Sequence, residues 1–575
     1  MWNKPWKYRE GLACGAGLCV TGLLLQAVVG AIRWELFAWP ANSVVLAVYL
    51  LLLAGMHALR KRVYCFRWLS HGTAAVSFLL YVAAITVVMG FGFTKMLSFW
   101  PFVLLYVAMV SSLGLTILRA GFPLKMQKLP FLLNHAGLFI ALLTATLGNA
   151  DLQRLKMTTQ MGQTEWRATD EQGNLSELPL AIELKNFTID EYPPKLMLID
   201  NETGQALSAE GLRYLLLKDG MESGQLLDWK ISILQSMPMA APVATADTLR
   251  FTEFHSMDAT CASYLKAVNT KTGQVKQGWV SCGSFMFPYQ ALRLDSGVSL
   301  VMPQREPRRF ASDVTVYTQA GDVLRDTVEV NHPLKIAGWD IYQLSYDEAK
   351  GRWSNISVFE LVRDPWLPYV YVGIVIMMLG AIGLVVYAPL AGFVTCGRWR
   401  YKWILAFGLV LALVFVCIYL LKVEMRDEMP MPALQSPWFA PHVAAYMFAY
   451  SLLGAAAVMA VYLLWFKRKG IEPREMNVCD TLVYVGLAFL TLGMLSGAIW
   501  AKAAWGHYWA WDPKETWAAV TWFSYLAYVH FRLGCLSAHR KALFGLLVAF
   551  LLLQMCWYGI NYLPAAQGAS MHIYN

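Results

Sequence analysis

A tryptophan-rich segment near the carboxyl end of the chain is the strongest candidate for a ligand-binding site. Residues 505–517 read W-G-H-Y-W-A-W-D-P-K-E-T-W and are called the tryptophan motif below. Tryptophan favours membrane interfaces, so an aromatic belt is the simpler interpretation. A belt does not need Gly, Asp, Pro and Glu among the rings, whereas stacked indoles suit a large, flat, apolar ligand. The pattern favours a ligand platform made of Trp505, Gly506, Trp509, Trp511, Asp512, Pro513, Glu515 and Trp517.

Two histidines flank the tryptophan motif in the sequence. His442 begins one apolar run, and His572 lies just beyond the last one. Neutral imidazole is a good ligand for iron, and two imidazoles can bind haem axially. His442 and His572 are therefore candidate ligands of a metal held at the motif. His507, inside the motif, is a competing candidate.

A second pair of histidines lies within apolar runs. His135 stands 13 residues from the predicted run end near Gly148, and His530 stands 13 residues from the run end near Trp517. At 1.5 Å per residue, both lie about 20 Å below the same membrane surface. Ionisable groups inside a membrane usually face the bundle interior and pair there. The matched depth makes a shared haem iron and two independent helix contacts equally good interpretations.

The composition shows which elements must position these residues. Of the 575 residues, 57% are apolar and 15% are charged, whereas soluble proteins have about 25% charged residues. Such an excess of apolar residues places most of the chain in lipid. Eleven apolar runs are long enough to cross about 30 Å of hydrocarbon. They are residues 11–32, 41–58, 71–91, 98–118, 130–148, 366–390, 402–421, 442–466, 480–500, 516–533 and 541–562.

The charge distribution predicts the orientation of these spans. Short segments on one side collect 20 Lys and Arg residues, and those on the other side collect 6. Because positive residues stay inside, the amino terminus is predicted inside, with the carboxyl terminus and residues 149–365 outside. Residues 149–365 carry a net charge of −7 and the rest of the chain +16. The basic surplus belongs to membrane flanks, so nucleic acid is not an expected partner.

Residues 149–365 are predicted to form a large β-rich domain outside the membrane. Short segments such as 313–317 (DVTVY), 326–330 (DTVEV) and 339–344 (WDIYQL) are β-branched or aromatic, with Gly and Pro between them. The domain contains two cysteines, Cys261 and Cys282, an even pair that allows a disulfide in an oxidising compartment. Two reduced cysteines are the alternative. The predicted fold is a polytopic α-helical membrane protein of about 11 transmembrane helices with a large β-rich extracytoplasmic domain.

These motifs together resemble a known family. The tryptophan motif, with His442 before it and S570-M-H-I-Y574 after it, resembles the WWD signature of the CcsA/ResC component of System II cytochrome c biogenesis. The segments R309-F-A-S-D-V-T-V-Y317, V330-N-H-P-L334 and G338-W-D-I-Y-Q-L-S-Y346 resemble the end of a ResB/CcsB domain. The chain thus looks like a natural fusion of the two parts. The resemblance implies four regions: helices in 1–148, a ResB-like domain in 149–365, a closing helix in 366–390 and a CcsA-like domain in 391–575.

The resemblance also implies an activity, a cofactor and partners. In that family two outer and two intramembrane histidines are associated with haem, and the matching positions here are His442, His572, His135 and His530. The expected activity is that of a holocytochrome c synthase, which moves haem b across the membrane and joins it to the CxxCH segment of apocytochrome c. The expected partners are apocytochrome c, a thiol-reducing thioredoxin-like protein and membrane lipid. The expected location is the bacterial inner membrane, with the β-rich domain in the periplasm.

Two other functions compete with this interpretation. A haem exporter or haem chaperone would share the tryptophan motif without forming thioethers, and a quinone oxidoreductase would keep a bis-histidine haem through turnover. The chain has no CxxCH segment of its own, so it is not predicted to be a c-type cytochrome. It also lacks a GxxxxGK[ST] phosphate loop, so ATP hydrolysis on this chain is not expected to drive haem transport.

Overall fold

Helices form the membrane part of the chain in the computed structural model. The structure describes residues 2–91, 96–121, 128–207, 214–218, 220–244, 249–395, 413, 429–467 and 470–563. Helices overlap ten of the eleven predicted spans within these ranges, whereas the span predicted at 402–421 lies, except for residue 413, outside them. The helices are α1 (Tyr8–Val29), α2 (Ala41–Leu59), α3 (Tyr64–Leu69), α4 (Gly72–Met89), α5 (Trp100–Ala120), α6 (Leu129–Gly148), α7 (Leu367–Thr395), α8 (Phe439–Val461), α9 (Pro473–Trp505), α10 (Pro513–Gly534) and α11 (His539–Trp557).

Most of these helices can cross a membrane. In the described part of the chain, nine segments are long and apolar enough to do so by length and composition. Helix α3 is a short connection of six residues, and α10 forms along its whole predicted span but is less apolar than the nine. The predicted fold class, a polytopic helical membrane protein with a β-rich domain between its helices, is therefore confirmed.

Seventeen described strands form the β-rich part, called the β-domain. They are β1 (Gln153–Gln160), β2 (Thr164–Thr169), β3 (Leu175–Glu191), β4 (Lys195–Asp200), β5 (Leu215–Leu216), β6 (Ser223–Leu226), β7 (Trp229–Ala244), β8 (Leu249–Glu253), β9 (Thr260–Asn269), β10 (Val275–Ser281), β11 (Leu292–Arg293), β12 (Val298–Val301), β13 (Pro307–Thr318), β14 (Val323–Glu329), β15 (Leu334–Ile336), β16 (Trp339–Tyr346) and β17 (Ile356–Arg363). The three segments predicted as strands lie in β13, β14 and β16.

The largest sheet connects the β-domain to the membrane helices. Its strand order is β14-β13-β3-β2-β1-β17-β16-β15. The first strand pairs with the last in antiparallel register, with Gln153 opposite Arg363. Because β1 follows α6 and β17 precedes α7, this pairing brings the ends of both helices together beneath the sheet.

Alternating side chains give this sheet a buried face. On β3, Leu180, Ile182 and Leu184 are all buried, as expected for every second residue of a strand. They pack with Phe359 of β17 and Ile341 of β16 in one apolar core. Two smaller sheets, β10-β9-β7-β6 with β8 beside β7 and β11-β12-β4-β5, share a second core. The membrane helices have a separate core of their own.

Glycines let α6 and α7 pack backbone against backbone. A Cβ added to Gly137 would lie 2.4 Å from the Met377 nitrogen, and one added to Gly373 would lie 2.6 Å from the Ala141 nitrogen. Small residues permit such close approach between membrane helices. Helix α7 therefore holds α6, and with it His135, in a fixed position.

Candidate functional site

The structure brings the rings of His135 of α6 and His530 of α10 close together, one edge-on to the other. Their ring centroids are 6.2 Å apart and their ring planes are inclined by 63°. Each ring bonds the carbonyl oxygen one turn earlier in its own helix: Nδ1 of His135 donates to Phe131 and Nδ1 of His530 donates to Leu526, both at 2.8 Å. A proton held at Nδ1 leaves the lone pair on Nε2, which is the arrangement of a metal-binding imidazole.

The spacing of this histidine pair fits two axial ligands on one iron. An imidazole nitrogen lies about 2 Å from a bound metal, so two coaxial rings on one metal have centroids about 6 Å apart. In the described part of the chain, no cluster of three or more His, Cys, Asp or Glu side chains could hold a bare metal ion. A metal that brings its own equatorial nitrogens, as haem does, suits a site with two histidines.

A buried ion pair fixes the orientation of α10. Arg532 and Asp480 of α9 are both buried, with Nη2 2.8 Å from Oδ2 and Nε 3.0 Å from Oδ1. The Tyr528 hydroxyl donates to the same carboxylate at 2.8 Å. Residues four apart lie on one helix face, whereas the residue between them points elsewhere. The ion pair therefore attaches one face of α10 to α9 and leaves His530 on another face.

Replacing Asp480 with Asn is expected to destabilise the protein strongly. The change leaves the Arg532 guanidinium buried without its counter-charge, and breaking a buried pair in this way costs about 3–5 kcal/mol. Thermal or denaturant unfolding of the detergent-solubilised protein measures the loss.

Two further variants separate the ion pair from a general effect of substitution. The double variant Asp480→Leu/Arg532→Met should recover most of the stability, since an apolar pair of similar volume replaces both charges. Glu165→Gln breaks the exposed pair with Arg167, which lies 2.9 Å away, and should cost less than about 1 kcal/mol. If Asp480→Asn is as stable as the double variant, the ion pair does not stabilise the protein in this way.

Backbone hydrogen bonds shape the tryptophan motif. Asp512 caps α10, because its Oδ1 accepts from the Glu515 nitrogen at 2.6 Å, and Glu515 in turn accepts from the Ala510 nitrogen at 2.7 Å. Pro513 occupies the first turn of the helix, where a missing N–H costs nothing. Gly506 ends α9 with a φ of 77°, in the left-handed region that favours glycine. These four motif residues therefore set the path of the loop.

The motif tryptophans differ in what they contact. Trp505, Trp509 and Trp511 are half-buried, and the rings of the last two meet edge to face at 5.6 Å. Trp517 is only 2% exposed, and its Nε1 donates to the Gly90 carbonyl at the end of α4, 3.1 Å away. The first three rings have exposed surface that a flat ligand can contact, whereas Trp517 joins α10 to α4.

His442 lies close to the tryptophan motif, with one further tryptophan ring between them. The Trp500 ring bridges the two, 5.6 Å from the His442 ring and 5.0 Å from the Trp505 ring. Nδ1 of His442 donates to the Gly493 carbonyl at 2.8 Å. A Cβ added to Gly497 would lie 2.5 Å from the same nitrogen, so α9 leaves room for the imidazole only because Gly is present.

Of the two other histidines predicted as ligands at the motif, the structure describes one. His572, predicted as the second ligand at the motif, lies outside the described residues. His507, the competing candidate, is buried and stacks near Trp505 with 6.4 Å between ring centroids. The structure thus places both His442 and His507 within the aromatic cluster around Trp505.

Cys261 and Cys282 are neighbours at the ends of β9 and β10. The Cys282 nitrogen donates to the Cys261 carbonyl at 3.2 Å, but both side chains are free thiols, so the disulfide that the pair allows is not formed in the structure. Burial, with a smaller contribution from Cys282, raises the pKa of the Cys261 thiol to about 12. Because the thiolate is the reactive form, this thiol is poorly reactive at neutral pH.

Sequence reasoning missed the buried charges around the two sites. Asp480 and Arg532 lie inside predicted spans. Their position in the membrane was a usable signal, because ionisable residues there are usually paired or functional. Lys502 is one of the six Lys and Arg residues in the short segments predicted outside, yet its side chain is almost fully buried beside the β-domain. The sequence of the spans gives no sign of the contact between Lys502 and Asp340, because that contact depends on how the β-domain packs against the helices.

Comparison with known proteins relates two segments of the chain to known families. Residues 373–566 match the family model "Cytochrome C assembly protein", and residues 280–355 match the "ResB-like family". The first match contains His442, the whole tryptophan motif and His530. The second covers strands of the β-domain.

Several named proteins are similar to part of the chain. Cytochrome c biogenesis protein CcsA of Chlamydomonas reinhardtii is 38% identical over 161 residues, covering 26% of this chain and 44% of that protein. CcsA of Prochlorococcus marinus (strain AS9601) is 32% identical over 197 residues, or 29% of this chain and 62% of that protein. CcsA of Guillardia theta is 31% identical over 180 residues, or 26% and 58%. The chain thus spans about half of the length of these relatives.

The matches agree with the resemblance in the motifs. The segment that matches the cytochrome c assembly model contains the tryptophan motif, and the segment that matches the ResB-like model is β-structured and precedes it in the same chain. One segment of the chain thus resembles the cytochrome c assembly proteins and another resembles the ResB-like family, an arrangement consistent with a System II fusion of CcsA-like and ResB-like parts.

Proposed function

We propose that this protein is a holocytochrome c synthase that carries haem b through the membrane and attaches it to apocytochrome c. The observation that carries the proposal is the contact between His442 and the tryptophan motif through Trp500. It combines a candidate axial ligand with an aromatic surface for a flat macrocycle, at the end of the bundle that faces the β-domain. The cytochrome c assembly match over this segment supports the choice of haem as the ligand.

Haem is the substrate in this proposal, and two sites hold it in turn. His135 and His530 bind the iron within the membrane, after entry from the cytoplasmic side. At the second site His442 and His572 are the axial ligands, while Trp505, Trp509 and Trp511 contact the macrocycle. The Asp512 and Glu515 carboxylates keep the loop in shape through backbone bonds rather than acting as acids on the substrate.

The chemical step joins two thiols of a CxxCH segment to the two vinyl groups of haem. Each S–H adds across one vinyl C=C bond: the sulfur bonds to the carbon next to the macrocycle and the hydrogen goes to the terminal carbon, so no oxidant or reductant is consumed. The histidine of CxxCH then replaces an axial ligand and the product leaves. The protein contributes mainly by positioning, which can supply much of a rate enhancement.

The proposal includes a location and partners. The protein lies in a bacterial cytoplasmic membrane, with its amino terminus inside and the β-domain and carboxyl terminus in the periplasm. Besides apocytochrome c, a thioredoxin-like protein supplies reduced CxxCH thiols. The asymmetry of Lys and Arg between the two sides supports this orientation.

The absorption spectrum of the purified protein tests the haem assignment. After production with ample haem, the reduced protein should show a b-type spectrum, and acidified organic solvent should extract the haem because it is not covalently bound. Protein that accumulates normally under those conditions without haem would overturn the proposed function.

A further inference from the structure

A buried lysine joins the β-domain to the tryptophan motif. Lys502, in the last turn of α9, is 4% exposed. Its Nζ donates to the Gly506 carbonyl at 3.1 Å and lies 3.5 Å from Oδ2 of Asp340 on β16. The same ammonium lies 5.4 Å above the Tyr342 ring. One cation thus contacts the loop that carries the motif and the strand that covers it.

The backbone of the motif lies directly against the β-domain at this point. A Cβ added to Gly506 would lie 3.1 Å from both the Tyr342 ring and the Val362 side chain. The Tyr342 hydroxyl donates to Asp340 at 3.4 Å, so the carboxylate is held in place beside the lysine. The β16 and β17 side chains therefore limit where the first turn of the motif can lie.

The charges make this contact sensitive to substitution. A buried ammonium needs a counter-charge and hydrogen-bond acceptors, and here Asp340 and the Gly506 carbonyl provide them. Without the Asp340 carboxylate, the Lys502 ammonium loses its counter-charge and is more stable in contact with water. Reaching water moves the ammonium away from the Gly506 carbonyl. The position of the motif backbone is thereby tied to an ion pair whose acid belongs to the β-domain.

We propose that Lys502 is a positioning residue for haem attachment: together with Asp340 it fixes the first turn of the tryptophan motif against the β-domain and so sets the haem-binding geometry of the motif. The inference rests on the proposed function of the motif. It gives the ResB-like β-domain a definite task, which is to hold the CcsA-like site in its haem-binding shape.

The test compares Lys502→Gln and Asp340→Asn with the unaltered full-length protein. Each variant is expected to hold about tenfold less haem per protein, in keeping with the loss of a charged hydrogen bond. Hydrogen exchange of residues 503–512 should become faster in both, while exchange in α6 and α8 stays unchanged. The two effects should not add in the double variant, because both break one contact.

Imidazole distinguishes positioning from ligation. Added imidazole should not restore haem in the Lys502 and Asp340 variants, since their proposed ligands are intact. Asp228→Asn is the matched control, because it breaks an exposed β-domain pair with Lys271, 2.9 Å away, and should leave haem content unchanged. If Lys502→Gln fails to accumulate, Asp340→Asn retains the side-chain shape and carries the test.

The outcomes separate this inference from the proposed function. If the unaltered protein holds haem and Asp340→Asn has unchanged haem content and unchanged exchange at 503–512, the positioning role is wrong while the proposed function stands. If the unaltered protein holds no haem, the proposed function fails and this inference fails with it.

Discussion

Replacing His442 with Ala is expected to abolish maturation of a co-produced c-type cytochrome. The variant loses the candidate ligand whose tautomer is set by the 2.8 Å bond from Nδ1 to Gly493. Disturbing the hydrogen bonds that support a metal ligand already lowers metal affinity or activity by about 10–100-fold. Removing the ligand itself should lower them further. Haem staining of the cytochrome measures maturation, and the same loss is expected for His572→Ala. Added imidazole, as a free axial ligand, should partly restore both variants.

A steric variant tests the same site without removing the histidine. Gly497→Ala places a methyl group where the His442 imidazole lies, so it should displace the ring and mimic His442→Ala. Gly545→Ala on α11 is the matched control, because nothing lies within 4 Å of the added Cβ. His255→Ala, on the exposed surface of the β-domain, controls for loss of a histidine. Full maturation by both His442→Ala and His572→Ala would refute the ligand assignment.

Replacing His135 or His530 with Ala is expected to reduce the haem that reaches the tryptophan motif by more than about tenfold, because loss of a ligand should cost at least as much as loss of its supporting hydrogen bonds. The 6.2 Å spacing of their rings fits one shared iron, so loss of either should have the same effect as loss of both. Each variant should still insert, since a neutral imidazole costs less in the membrane than a charge, for which insertion scales give about 2.5–3.5 kcal/mol. Haem content and protein amount, measured together, give the result.

The controls for the histidine pair address folding and rescue. His57→Ala, in the last turn of α2, removes a histidine from another membrane helix and should leave haem content normal. Imidazole should restore haem in the His135 and His530 variants, in contrast to the Lys502 variants. If both single variants carry normal haem and mature cytochrome at the normal rate, the pair is structural and haem takes another route.

The fold class could be predicted because it depends on local patterns. Apolar runs of sufficient length determine the helices, and alternating β-branched residues determine strands such as β13 and β16. Helix rise also predicted the equal depth of His135 and His530, because depth is a property that each span has by itself, but it left open whether the two rings meet. Which helix faces turn toward each other was beyond such reasoning.

The contacts that shape the tryptophan motif could not be predicted in the same way. Trp517 is equivalent to the other three tryptophans in the sequence, yet its partner Gly90 is 427 positions away. Lys502 looks like an ordinary loop cation until Asp340 of the β-domain is placed beside it. Both contacts depend on packing between distant segments, for which periodicity and composition carry no information.

Covalent attachment of haem by this chain alone is the most direct test of the central claim. The chain is produced together with an apocytochrome c in a host that lacks its own cytochrome c biogenesis genes, and the cytochrome is purified and weighed by mass spectrometry. The account predicts the mass of the apoprotein plus one intact haem, retained after denaturation, because both thiol additions lose no atoms. A cytochrome without covalent haem, although this protein accumulates and binds haem, would contradict the synthase and leave a haem exporter or chaperone.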